Sequence, residues 1–194
     1  MNASVCFFIK WSKANKLKLN LGKTKEIVFR RSSVKRDILP LALDDIERLE
    51  CVKLLGVYID SNLSFCEHVE QLLSVCSQRL YLLSQLRKQN LPDKCVGIVY
   101  DAIVLSKVLY ALSAWSGYIT QSLEDCIDAC FRKAYRWRLT STQYKFNNLS
   151  FSMDSKMFAR CKWEGHCLHH MLSARQSSSQ MILRSRGIHL MSLV

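Results

Sequence analysis

Arg132, Lys133, Arg136 and Arg138 stand close together in the sequence and enclose Tyr135 and Trp137. Cations of this kind hold phosphates, and the rings among them can stack on bases. Arg132 and Arg136 are one helical turn apart and share a face. The plainer reading is an amphipathic helix with a solvated basic side and core aromatics. Lys23 and Lys25 form a second cationic pair. Read from the residues alone they are strand-edge lysines that discourage aggregation. Gly56 interrupts the apolar run Val52 to Ile59. An isolated glycine in a strand suggests a bulge or a close backbone approach.

Cys161, His166, Cys167, His169 and His170 are zinc-ligand types. Their spacing argues against a metal: Cys161 and Cys167 are wider apart than the ligands of a metal knuckle. His166 and His170, one helical turn apart, lack the glutamate of a His-Glu-x-x-His site. Core cysteines and helix-surface histidines are the expectation, with no metal or other cofactor. Cys126 and Cys130 share a helical face and read as packing. His68, alone near a helix start, reads as structural. Two-metal chemistry needs converging carboxylates. The acidic pairs Asp44–Asp45 and Glu124–Asp125 fall in a loop and at a helix N-terminus, where acids suit the dipole. The sequence has no phosphate-binding Walker loop, dinucleotide fingerprint or serine nucleophile elbow.

The elements that must position these residues follow from composition and periodicity. Apolar residues make up 49% and charged residues 23%, which excludes wholesale disorder. With 6 Gly and 2 Pro, a turn-rich all-β fold is disfavoured and long helices are expected. The net charge of +12 is unevenly distributed. Residues 10–36 carry ten Lys/Arg against Glu26 alone, residues 37–130 are acidic overall, and residues 131–194 carry eleven Lys/Arg against Asp154 and Glu164. Two basic ends around an acidic middle point to a polyanionic partner, because neutralising phosphates releases counterions. The longest uncharged run, Val108 to Leu123, is shorter than the about 20 apolar residues of a membrane span and contains polar residues. Met1 to Ile9 has no positively charged n-region and Lys10 follows at once, so no signal peptide is expected. Nine scattered cysteines then imply reduced thiols and a cytoplasmic or nuclear location.

Ala3 to Asn15 is expected as a short helix. Lys16 to Asn20 alternates, with Leu17 and Leu19 on one strand face, and Lys25 to Phe29 reads as a strand. Arg30 to Arg36 is expected as a surface loop and Val52 to Ile59 as a strand. Ser64 and Glu67 fit a capping box. Val69, Leu72, Leu73, Cys76, Leu80, Leu83 and Leu86 then keep helical spacing, giving a helix over Cys66 to Lys88. Pro92 suits the first turn of the next helix, over Asp93 to Trp115. From Val96 its apolar residues lie nearly all round, as in a central buried helix stopped by Gly117. Ser122 and Asp125 open a third helix, with Leu123, Ile127, Cys130, Phe131 and Ala134 inward. Asp154 to Met171 is a fourth helix, and Ser173 to Ser179 a polar linker.

Trp11-x-x-x-Asn15-x-Leu17-x-Leu19-Asn20-x-x-Lys23-Thr24-Lys25 resembles motif D of non-LTR (LINE-type, Jockey-like) retrotransposon reverse transcriptases. Lys53-Leu54-Leu55-Gly56-Val57-Tyr58-Ile59-Asp60 resembles motif E, the primer grip. Leu63-Ser64-Phe65-x-x-His68-Val69, then Arg79-Leu80-Tyr81-x-Leu83-x-x-Leu86, is similar to the start of that family's thumb, as are Leu109-Tyr110 and Trp115 to its second thumb helix. His166-Cys167-Leu168-His169-His170 and Leu183-Arg184-x-Arg186-Gly187 look like the end of such reading frames. The resemblance covers nearly the whole chain, in order. It implies a C-terminal palm edge and thumb that hold RNA or an RNA–DNA hybrid. Lys23 or Lys25 would lie near incoming phosphates, and Gly56 near a primer. It also implies that the aromatic-Ala-Asp-Asp turn, with the Mg²⁺ it binds in the intact enzyme, belongs to an upstream palm and fingers outside this sequence. The chain alone is then expected to be inactive.

His68 to Leu91 also resembles a short helical signature at the N-terminus of AlkB-like tRNA-modifying proteins, without an iron site or a methyl-donor loop beside it. The alternative function is thus a basic helical nucleic-acid-binding or tRNA-modification-associated domain without catalysis. The expected fold class is α+β. A palm remnant over 1–62, with a short helix and few strands, precedes a three- to four-helix thumb-like bundle over 63–140 and a partly flexible helical tail over 141–194.

Overall fold

The structure, a computed structural model, describes residues 3–30, 39–43 and 46–172. It is a mixed helix-and-strand fold in two compact units, Met1–His68 and Val69–Val194. Arg31, Lys35, Arg36, Asp44, Asp45, the linker Ser173 to Ser179 and the Leu183 to Gly187 motif lie outside the described residues.

In the first unit, helix α1 (Ala3–Ala14) ends close to Asn15. Lys16 turns left-handed (φ 55°), its N–H bonds to Lys13 O and the Leu17 N–H reaches back to Ser12 O. This closure satisfies terminal carbonyls that the helix leaves open. It also takes Leu17 into the helix stop, so the strand expected from the alternation of Leu17 and Leu19 is absent, and both leucines are exposed. Strand β1 is confined to Lys25–Glu26 and runs parallel to β2 (Glu47–Arg48). Ile27 to Phe29 leave the ladder, and the Arg30 N–H bonds instead to Ser61 O at 2.9 Å.

The run Val52 to Ile59, expected as one strand, folds back on itself. Strands β3 (Cys51–Leu54) and β4 (Val57–Asp60) pair antiparallel, with Leu54 opposite Val57. Leu55 (φ 48°) and Gly56 (φ 86°) form the two-residue loop between them. Two positive φ values match the right-handed strand twist in such a hairpin, so Gly56 is a turn residue and not a bulge. Asp60 then organises the exit. Its carboxylate accepts the N–H groups of Asn62 (3.0 Å) and Ser64 (2.8 Å) and the Ser64 hydroxyl. Ser64 thus directs both its N–H and its hydroxyl proton to Asp60. Its oxygen lies 3.4 Å from the Cys66 N–H.

Helix α2 (Cys66–Lys88) crosses from one unit's sequence into the other's. Its buried residues are Val69, Leu72, Cys76, Leu80 and Leu83, a stripe at the expected spacing; Leu86 is exposed. Helix α3 (Asp93–Tyr100), capped by Pro92, opens the next segment. A π turn (Asp101–Leu105), α4 (Ser106–Leu109), α5 (Leu112–Trp115) and a 3-10 turn (Ser116–Tyr118) follow. The expected continuous helix is therefore interrupted. Its buried residues, Val96, Tyr100, Val104, Val108 and Leu112, recur every fourth position. Four residues overshoot an α-turn by about 40°, and the wider π turn takes part of that rotation back. The break comes at Ala111 (φ 51°), not at Gly117.

Asp93–Tyr118 is long and apolar enough, by length and composition, to cross a membrane. The uncharged stretch from Val108 understated it, because the helical run takes in Asp93, Lys94, Asp101 and Lys107. Its apolar residues do not bury all round, since Ile98, Tyr110 and Tyr118 are exposed. One face, from Val96 to Trp115, is buried inside the second unit.

Helix α6 (Gln121–Arg136) buries Ile127, Phe131 and Ala134. Helix α7 (Phe146–Cys161) starts and ends earlier than the Asp154 to Met171 expected. Its start is set by tertiary contacts. The Phe146 N–H bonds to Asp128 Oδ1 on α6 at 2.8 Å, and the Phe146 ring packs on Trp115 at 5.9 Å.

Candidate nucleic-acid interface

The C-terminal ends of α2 and α6 meet in the second unit and line a groove with Tyr81, Ser84, Gln85, Arg87, Lys88, Arg136 and Trp137. Each helix ends in the same way. Asn90 (φ 64°) follows α2, and the Leu91 N–H closes onto Leu86 O. Arg138 (φ 52°) follows α6, and the Leu139 N–H closes onto Ala134 O with the Leu139 side chain fully buried. Buried Leu139 anchors this second stop, offsetting the cost of a left-handed arginine.

Both last turns are basic, with Arg87 and Lys88 on α2 and Lys133 and Arg136 on α6. Part of that charge is structural. Arg87 donates from Nη1 to Trp137 O and pairs from Nε with Asp93 at 3.3 Å, so it serves the terminal carbonyls of α6. Lys133 lies over the Trp137 ring at 4.6 Å. Lys88 and Arg136 take part in no ion pair among the described residues. Beside them Tyr81 and Trp137 are 59% and 37% exposed. Two cations without carboxylate partners and two accessible rings can hold a phosphate chain and stack a base.

Of the residues singled out from the sequence, Arg136 lines this groove, Lys133 supports its tryptophan, and Arg132 is exposed one turn earlier on α6. Tyr81, Arg87 and Lys88 were not anticipated as site residues. Their signal was present as basic residues in the last turn of the Cys66–Lys88 helix, but nothing local to α2 indicates that α6 ends beside it.

The first unit carries the other candidates. Lys25 pairs with Glu47 across β1 and β2, so its ammonium already has a counterion. Lys23 is exposed in a 3-10 turn (Leu21–Lys23) whose backbone is tied to Asn20. Gly56 lies in the hairpin loop beside Leu55, which is 83% exposed. Near this hairpin His68 is buried, and its Nδ1 accepts the Tyr58 N–H at 3.4 Å.

The cysteine–histidine cluster does not converge. His166 Nδ1 accepts the Leu168 N–H at 3.2 Å, and His169 Nδ1 lies 3.0 Å from Cys161 O. His170 falls in a 3-10 turn (His169–Met171), so it shares no helical face with His166. Among the described residues no group of three or more His, Cys, Asp or Glu is placed to hold a metal ion. Glu124 lies in the first turn of α6 and Asp125 directly follows it, accepting from Gln121 at 3.2 Å. Burial, with Asp125 and Asp128 nearby, holds Glu124 above the usual carboxylate range. Cys126 is exposed, against the packing role expected of it, whereas Cys130 is half-buried.

Comparison with known proteins finds no matching family model, no matching curated protein and no matching solved structure.

Proposed function

We propose that the chain binds nucleic acid through its backbone, as the palm-edge and thumb segment of a non-LTR retrotransposon reverse transcriptase. The observation that carries the binding is the groove between the ends of α2 and α6, where Lys88 and Arg136 stand beside accessible Tyr81 and Trp137. The reverse-transcriptase assignment rests on the ordered motif resemblance. The β3–β4 hairpin supports it, since the stretch resembling a primer grip folds as a hairpin with Leu55 and Gly56 at its tip. In this reading RNA or an RNA–DNA hybrid is the ligand. Polymerisation, with its Mg²⁺, requires carboxylates from the upstream palm, so this chain alone extends no primer.

Binding of a labelled RNA–DNA hybrid and an unrelated duplex, measured by anisotropy at several salt concentrations, tests the proposal. Affinity should be similar for the two and fall with log salt at about 0.9 per phosphate contacted on duplex, or about 0.7 on a single strand. Arg136→Ala with Lys88→Ala should weaken both ligands alike and flatten that slope. Affinity independent of salt, or unaffected by the double substitution, would remove the groove from the interface. Primer extension by the purified chain, abolished by substitution of one of its own carboxylates, would overturn the assignment of catalysis elsewhere.

A further inference from the structure

One wall of the groove is built in order along α2. Tyr81, Gln85 and Lys88 follow one another at helical spacing and share a face. The Gln85 side chain is half-buried and makes no hydrogen bond among the described residues. Its amide is a donor and an acceptor open to a ligand. On the facing wall Trp137 is held in place, its carbonyl by the Arg87 guanidinium and its ring by Lys133 at 4.6 Å. Tyr81 stacks on no ring among the described residues. Inside a duplex, neighbouring pairs cover both faces of each base, and the pairing partner covers its Watson–Crick edge. The two rings and the amide have nothing to engage there unless a nucleotide is unpaired. Stacking on exposed rings and hydrogen bonds to open base edges are how proteins hold single strands. Lys88 and Arg136 act on phosphates in either form.

Resting on the reading of this groove as a nucleic-acid interface, we propose that its ligand is an unpaired nucleotide within a single-stranded segment. The base stacks on Tyr81 and Trp137, Gln85 bonds its open edge, and Lys88 and Arg136 hold the flanking phosphates. The groove thus selects the state of the strand, a choice its cations alone do not make, and it does so without selecting sequence, because every base has a flat face.

The test measures anisotropy with the full chain and two labelled probes of equal phosphate count. One is a blunt RNA–DNA hybrid; the other is a shorter hybrid carrying a single-stranded tail of mixed sequence. The tailed probe should bind about tenfold more tightly, within the range of one stacked base. Tyr81→Ala should abolish that ratio, Tyr81→Phe should keep it, and Gln85→Ala should reduce it. Equal affinity for the two probes would overturn the proposal, as would a ratio that survives Tyr81→Ala. If Lys88→Ala with Arg136→Ala still weakened the blunt probe, the groove would stand as a phosphate site without strand selection. If the double substitution changed neither probe, the interface itself would fall and this proposal with it.

Discussion

Arg87 donates from Nη1 to the carbonyl oxygen of Trp137, joining the last turn of α2 to the end of α6 across 50 positions of sequence. The guanidinium also faces Asp93, at the start of α3. One side chain thus serves two helix termini, placing a cation where the terminal carbonyls of α6 carry partial negative charge. It also holds Trp137 in the groove wall.

Replacing Arg87 with alanine should destabilise the chain by about 1–2 kcal/mol, the range of a charge-assisted hydrogen bond to a carbonyl. Arg87→Lys should recover only part of this, because an ammonium lacks the planar fork that reaches Trp137 O and Asp93 together. Urea denaturation of both variants is the measurement. Equal stability for all three proteins would show that the contact contributes nothing.

The hairpin loop makes the opposite prediction. Leu55 occupies a left-handed conformation (φ 48°) that asparagine and glycine adopt more readily. Leu55→Asn should raise stability by about 0.5–1 kcal/mol, whereas Gly56→Val should lower it by at least about 1 kcal/mol. If Leu55→Asn stabilises the chain but weakens binding to the hybrid, the exposed leucine side chain contacts the ligand. Thermal denaturation and anisotropy on the same variants separate the two effects.

Trp115 is fully buried against Phe146, while Ile98, on the same helical run, is 61% exposed. Trp115→Ala should cost about 3–5 kcal/mol through lost burial and an unfilled cavity. Ile98→Ala should change stability by no more than about 0.5 kcal/mol. A large loss from Ile98→Ala in water would mean that the exposed face is covered by a partner.

Acid should loosen the first unit at one place. The Arg48 guanidinium, 2.7 Å from the Glu26 carboxylate, holds Glu26 below the usual carboxylate range; burial works against it. A depressed carboxylate pKa contributes stability that is complete above the unfolded-state value and is lost as pH falls through the folded one. The Leu49 N–H, bonded to Glu26 O at 2.8 Å, reports on this segment. Its hydrogen-exchange protection, corrected for intrinsic exchange, should fall across that acid window in the native chain. In Glu26→Gln that pH dependence should disappear.

The helix stops show why sequence reading succeeds in some places and not in others. Lys16, Asn90 and Arg138 all take the left-handed position after a helix. Asparagine is a residue type associated with that position, whereas lysine and arginine carry no such signal. At Arg138 the stop is anchored by Leu139, whose burial depends on the rest of the bundle. Likewise Val52 to Ile59 is uniformly apolar, and only Gly56 hints that the run reverses.

The sequence by itself determined the mixed helix-and-strand character, the α2 stripe from Val69 to Leu83 and the inward face of α6, because helical burial repeats locally. It also marked Lys133 and Arg136 as close neighbours with Trp137. Tertiary structure alone decided that Lys25 is paired with Glu47 and that Lys88 and Tyr81 join Arg136 in one groove. Each of these depends on residues about twenty or more positions apart, brought together by packing whose free energy is shared across the fold. No local spacing encodes such a meeting.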